Sequence, residues 1–147
     1  EQLAEYEAAI DAWLEEQLAE NPTVTSVEKD TEDGERRWVA RVTGDEKATF
    51  AIWFHLRQRS LHVETYFMPA PEERQGELYE HLLRRNSKLR GFTFAIGAED
   101  AVFLIGEIPV ERISDDELDR LFGSVYTYVE RCFRPAMRIG YASRFSG

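Results

Sequence analysis

His55, His62 and Glu64 come nearest, by type and spacing, to a chemical site in this chain. If residues 57–60 form a four-residue hairpin loop, His55 lies directly across from His62, and Glu64 is the next position on the same face. Two imidazoles and a carboxylate so placed have the donor types of a zinc site. A small metal-binding protein or enzyme using His55, His62 and Glu64 is therefore one reading. Against it, zinc sites require three or four convergent protein ligands, and no cysteine is near in sequence. The preferred reading is that these residues are exposed at a hairpin end and hold no metal.

Other catalytic chemistry is still less supported. Cys132 falls on the apolar stripe of a helix, where a thiol serves as a small hydrophobe. Gly-x-Ser-x-Gly, Gly-x-Gly-x-x-Gly and phosphate-cradling patterns are absent from the sequence. His81, between Glu80 and Leu82, reads as solvent-exposed. The acid pairs Glu15-Glu16, Glu72-Glu73 and Asp115-Asp116 fit helix surfaces and first turns, where they favour solubility and the helix dipole. Asn86 reads as structural: it either ends a helix in a left-handed conformation or ties the helix end to the next strand with its amide. The expectation is a non-enzymatic protein with no catalytic residue and no cofactor.

Charge narrows the partner. The net charge is −10 and the pI near 4.8, with basic residues scattered rather than clustered. A protein that binds duplex DNA must neutralise phosphates with Lys and Arg, and an anionic bilayer would repel this chain, so neither nucleic acid nor membrane is expected. Apolar runs fall well short of the roughly 20 residues that span a bilayer. One cysteine rules out an internal disulfide framework and fits a reducing cytoplasm. The first helix is acidic, unlike a signal or transit peptide. Glu1 is not an initiator residue, which implies a few residues upstream. At 147 residues the chain is read as one domain, 1–147, with enough length for a core.

The elements that must position these groups follow from periodicity. Leu3, Tyr6, Ile10, Trp13, Leu14 and Leu18 recur at helical spacing over residues 2–20, and Asn21-Pro22 stops the helix. Four strands are predicted near 23–31, 35–43, 48–56 and 61–68. Asp33-Gly34 reads as a two-residue turn, residues 44–46 as the second turn and 57–60 as the third. A helix near 71–88 precedes a hairpin at 91–108 that turns at 98–100. Ser114 and Glu117 have capping-box spacing at the start of a last helix, which Pro135 is expected to bend or end. The order α-β-β-β-β-α-β-β-α predicts an α+β fold, a mainly antiparallel sheet with helices packed on it.

The 57–60 loop also assigns faces. Phe50, Ile52, Phe54 and Leu56 pair with Phe67, Thr65, Val63 and Leu61, and this row joins Trp38, Ala40, Val42 and Val27 as the core face. The opposite row carries Arg37, Val39, Arg41, Trp53, His55, His62, Glu64, Tyr66 and Met68. It is too polar for a core and too aromatic for an indifferent surface. Trp53, Arg37, Arg41, Tyr66 and Met68 are the candidate partner-binding residues; the equal alternative is that a helix of the same chain or a dimer mate covers this face. Arg37 and Arg41 beside Trp53 predict an extended client segment with apolar anchors and an acid or two.

The strand Thr49–Leu56, its return Leu61–Phe67 into Pro69-Ala-Pro71, and Leu82-Leu83-x-x-Asn86 form a recognisable series. Phe92–Ile96, Val102-Phe103-Leu104, Ile108-Pro109 and the Asp116-Glu117-Leu118-Asp119 helix complete it. From about Trp38 to Phe133 the chain resembles the YbjN family, which is labelled as bacterial sensory transduction regulators. That family is similar in fold to the acidic chaperones of type III secretion systems, which are dimers that hold an extended client segment against apolar patches. The resemblance implies a cytoplasmic, homodimeric, peptide- or protein-binding module with a chaperone-like or regulatory role. It brings no catalytic or ligand residues with it.

Overall fold

The computed structural model describes residues 2–145. Helix α1 (Gln2–Glu20) is followed by strands β1 (Val24–Asp30), β2 (Arg37–Thr43), β3 (Thr49–Leu56) and β4 (Ser60–Met68). Then come α2 (Gln75–Asn86), β5 (Phe92–Ile96), β6 (Val102–Pro109), the long α3 (Asp115–Gly140) and a single turn, α4 (Ala142–Phe145). The strands make one antiparallel sheet in the order β1-β2-β3-β4-β6-β5. This is the α+β architecture expected from the pattern, with α4 as a short addition.

The 57–60 loop sets the register as the sequence predicts. Leu56 pairs with Leu61, Phe54 with Val63 and Ile52 with Thr65, and His55 faces His62. Alternation then buries Phe50, Ile52, Phe54 and Leu56 of β3 with Trp38, Ala40 and Val42 of β2. Thr65 is the one polar side chain among the fully buried described residues, and its hydroxyl donates to the Ala51 carbonyl at 2.6 Å. Ile10, Trp13 and Leu14 of α1, Leu78 and Leu82 of α2, and the α3 stripe from Leu118 through Ala136 close over this face in one core. Each large side chain so buried contributes about 1.5–3 kcal/mol.

The helix ends show where local rules yield. Ser114 caps α3 by accepting the Glu117 backbone N–H at 3.1 Å. The reciprocal half of the capping box is replaced, because the Glu117 carboxylate binds Arg120. Pro135 does not end α3, which runs five residues further to Gly140. A helix-interior proline costs about 3 kcal/mol, and the burial of Cys132, Ala136 and Gly140 around it offsets that cost. Asn86 adopts the second of its two expected roles: its Oδ1 accepts the Phe94 N–H at 2.7 Å and its Nδ2 donates to the Phe94 carbonyl at 3.3 Å. Asp33 and Gly34 both take positive φ, as a turn requires, but they sit within a longer connection between the paired ends Asp30 and Arg37. The two-residue turn is thereby corrected to a six-residue loop. Glu32–Gly34 form a 3-10 turn inside it.

Candidate partner-binding surface

Every helix of the core lies on one side of the sheet, and among the described residues no helix covers the other side. Its rows follow the register. Arg37, His55, His62 and Glu107 form one, and Val39, Trp53, Glu64, Ile105 and Thr93 the next. Tyr66, Phe103 and Ala95 lie in a third. Trp53 is half-buried while its neighbour Phe54 is sealed in the core, so the two point to opposite sides. Tyr66 is exposed and meets Phe103 edge-on at 5.5 Å between ring centroids. Trp53, Tyr66, Phe103 and Ile105 thus give this face an apolar and aromatic centre, with Glu64 lying between Trp53 and Ile105.

Met68 does not belong to it. Tyr66 pairs with Phe103 but Met68 pairs with Val102, so Phe67 is an extra residue on β4. Such a bulge resets the alternation. Phe67 and Met68 are both fully buried, Met68 on the helical side near Gly140. Val39 is also buried despite its place on the open row, lying between Glu28 and Trp53 of the adjacent strands.

The arginines are present but already paired. Arg37 binds Asp30 at 2.6 Å and its guanidinium lies 5.9 Å from the Trp53 ring centre. Arg41 binds Glu28 at 2.6 Å. The local positive charge expected beside Trp53 is therefore offset by β1, and it gives an acidic segment little to bind. Surface pairs of this kind contribute at most about 1 kcal/mol, but the pair with Asp30 holds the Arg37 guanidinium beside the Trp53 ring.

His55 and His62 face one another, yet each ring turns to its own carboxylate. His55 Nε2 lies 2.6 Å from Glu35 and His62 Nε2 lies 2.9 Å from Glu64. Among the described residues no group of three or more His, Cys, Asp and Glu side chains converges to hold a metal ion. Cys132 is buried, which pushes its thiol pKa up and keeps it in the unreactive thiol form. His81 is half-buried rather than exposed. Desolvation, then the neighbouring Arg85, holds its pKa below the usual histidine value.

Sequence reasoning missed a second surface. Strand β5 is the outermost strand on its side of the sheet, with the Phe94 backbone groups taken by Asn86, and a groove of about 300 Å³ runs between it and α2. Tyr79, Leu82, Leu83, Phe94, Ile96 and Val102 line it. Leu83 and Ile96 are more than half exposed there. The signal was available: both are large apolar residues just outside the α2 and β5 core positions. Phe103 and Ile105 were likewise legible as a second apolar row on their strand, had that strand been placed beside β4.

The fold and the two surfaces define a one-sided α+β sandwich, of a class that presents a bare sheet. The chain belongs to the YbjN family, described as "Putative bacterial sensory transduction regulator", whose profile matches residues 8–136. Among curated proteins it is similar to the uncharacterized protein Rv0487 of Mycobacterium tuberculosis, 26% identical over 105 residues, or 71% of this chain and 57% of that protein. It is similar also to the uncharacterized protein ML2442 of Mycobacterium leprae, 27% identical over 111 residues, 76% of this chain and 60% of that one. The matches thus span less than two thirds of the length of these relatives. Among solved structures, the Yersinia pestis type III secretion chaperone SycH, in complex with a stable fragment of YscM2, superposes with a TM-score of 0.51 at 20% identity. That match covers 80% of this chain and 94% of SycH. The ExsC–ExsE complex gives a TM-score of 0.58 at 15% identity, over 86% of this chain and 94% of that one. At these identities the likeness is one of fold.

Proposed function

We propose that this chain is a non-enzymatic, cytoplasmic, homodimeric binding module that holds an extended segment of a partner protein, in a chaperone-like or regulatory role. The observation that carries this is the one-sided coverage of the sheet, which leaves Trp53, Tyr66, Phe103 and Ile105 uncovered. An apolar strip of this kind, rimmed by ion pairs, suits alternate side chains of an extended peptide. SycH was solved with a fragment of another protein and ExsC in a complex with ExsE, which supports a protein partner for this fold. With Arg37 and Arg41 already neutralised, the segment binds by apolar and aromatic anchors, and the acids expected from the sequence are not needed.

The β5 edge takes the other role, the dimer contact. Arg84 is paired with Glu80 at 2.8 Å, but Arg85, Lys88 and Arg90 follow with no acid before Glu99 and Asp100. The groove is therefore basic at the α2 C-terminal end and acidic at the far end of β5. Two copies related by a two-fold axis, with β5 antiparallel to β5, bring opposite charges together and cover Leu83 and Ile96.

Capture of partners from the source cytosol by the wild-type protein and by Trp53→Ala, read by mass spectrometry, tests the open face. Losing a central Trp is expected to cost roughly 2 kcal/mol or more of binding, while thermal unfolding stays close to wild type. If the same proteins are captured undiminished, or if Trp53→Ala unfolds the chain, the open face is not the binding surface.

A further inference from the structure

The chain has three lysines, Lys29, Lys47 and Lys88, and their surroundings differ sharply. Lys29 is held between Glu7 at 2.6 Å and Asp11 at 3.1 Å. Lys88 is exposed beyond the end of α2. Lys47 lies in the loop between β2 and β3, and that loop is bound to α3 along its length. The Glu130 carboxylate accepts the backbone N–H groups of Asp45, Glu46 and Lys47. The Tyr126 hydroxyl donates to the Thr43 carbonyl at 3.1 Å, and Arg134 pairs with Glu46 at 3.0 Å. Gly44 is required for this approach, since a Cβ there would lie 2.6 Å from Glu130 Oε2.

The clamp consumes the carboxylates that would otherwise reach Lys47. Glu130 is engaged by backbone N–H groups and Glu46 by Arg134, and Lys47 makes no ion pair among the described residues. Its Nζ lies instead 4.6 Å from the Phe133 ring centre and 5.8 Å from that of Tyr66. Among the described residues only Arg37 Nε is sealed from water without a partner, so the unpartnered Lys47 amine still touches solvent. Burial without a counter-charge favours the neutral amine. Desolvation accordingly holds Lys47 below the usual lysine range, whereas Glu7 and Asp11 hold Lys29 above it.

We propose that Lys47 is a selected acylation site, whose amine takes an acyl group from an activated donor of the acyl phosphate or acyl thioester class. The neutral nitrogen attacks the acyl carbonyl carbon. A C–N bond forms, the C–O bond to phosphate or the C–S bond to the thiol breaks, and the nitrogen gives one proton to water. No electrons change hands. The product amide is neutral and rests on the same two rings without the cost of a half-desolvated cation. Tyr66 belongs to the open face, so acylation alters that face at its margin; this consequence, unlike the acylation itself, rests on the function proposed above.

The test is competitive labelling of the folded protein by acetyl phosphate, and separately by acetyl-CoA, with acetylation at the three lysines quantified by peptide mass spectrometry. Because a lowered pKa raises the neutral fraction of an amine, Lys47 is expected to label faster than Lys88, with Lys29 slowest. The ratio of Lys47 to Lys88 should fall as pH rises and both amines become neutral. Glu130→Gln weakens the clamp without touching the α3 stripe and is expected to bring the ratio toward one. Labelling of Lys88 equal to or faster than that of Lys47 with both donors overturns the proposal, as does a ratio unmoved by Glu130→Gln. Selectivity with one donor only upholds it and identifies the donor class. The labelling does not depend on any partner, so its failure and the failure of Trp53→Ala are distinguishable.

Discussion

The Trp13 indole N–H donates to Asp119 Oδ1 at 2.8 Å, joining α1 to the first turns of α3 across 106 residues of sequence. Trp13 is otherwise enclosed, meeting Phe54 and Phe122 edge-on at 5.9 and 5.8 Å. Removing its acceptor leaves a desolvated donor, which costs about 1–3 kcal/mol. Asp119→Ala is therefore expected to lower stability by that amount in urea unfolding, with the slope of the transition unchanged. The apolar contacts of Trp13 remain, so the fold persists.

Acid should weaken the contact between α1 and the sheet. Lys29 and then Arg36 hydrogen-bond Glu7 and hold its carboxyl below the usual glutamate value. A depressed folded pKa gives stability that is present above the unfolded value near 4.5 and lost as pH falls through the folded one. Lys29 has the opposite sign: its contribution is full below 10.5 and is lost as pH rises through its raised folded value. In Glu7→Gln the loss of stability between about pH 5 and pH 2 should be smaller than in wild type, and thermal melts across that range measure it.

Asn86 is expected to govern the order of the β5 edge. Its amide satisfies both backbone groups of Phe94, and among the described residues no other strand lies on that side. Asn86→Ala should cost about 1–3 kcal/mol. It should also speed hydrogen exchange at the Phe94 amide more than at the Phe54 amide, which lies in the middle of the sheet. Equal protection at Phe94 in the variant would show that the strand is held by other means.

The proposed dimer contact puts Leu83 and Ile96 against a second copy. Leu83→Glu places a charge in that groove, while Leu83 itself is largely exposed and contributes little to the core. A buried, unpaired charge costs several kcal/mol, so light scattering should show a mass near a single 17.1 kDa chain for the variant and twice that for wild type. A wild-type protein that stays at the single-chain mass at high concentration removes the claim.

The sequence by itself determined what depends on near neighbours. A period of two and a four-residue loop were enough to set Leu56 against Leu61 and to oppose Trp53 and Phe54, because a one-residue slip would expose a whole apolar row. Helical spacing likewise located the stripe of α3. Only the tertiary structure decided what depends on distant neighbours. Met68 faces inward because its strand gains a bulge against β6, where its partner Val102 is 34 residues away in sequence and its position in the sheet is stated by no local pattern. Arg37 and Arg41 lose their free charge to Asp30 and Glu28 on a strand paired across a loop. Pro135 remains helical because burial around it outweighs its local cost. Lys47 reads in sequence as an ordinary loop lysine. It is set apart by Glu130 and Phe133, which lie more than eighty residues further along the chain and reach it only when α3 packs across the sheet.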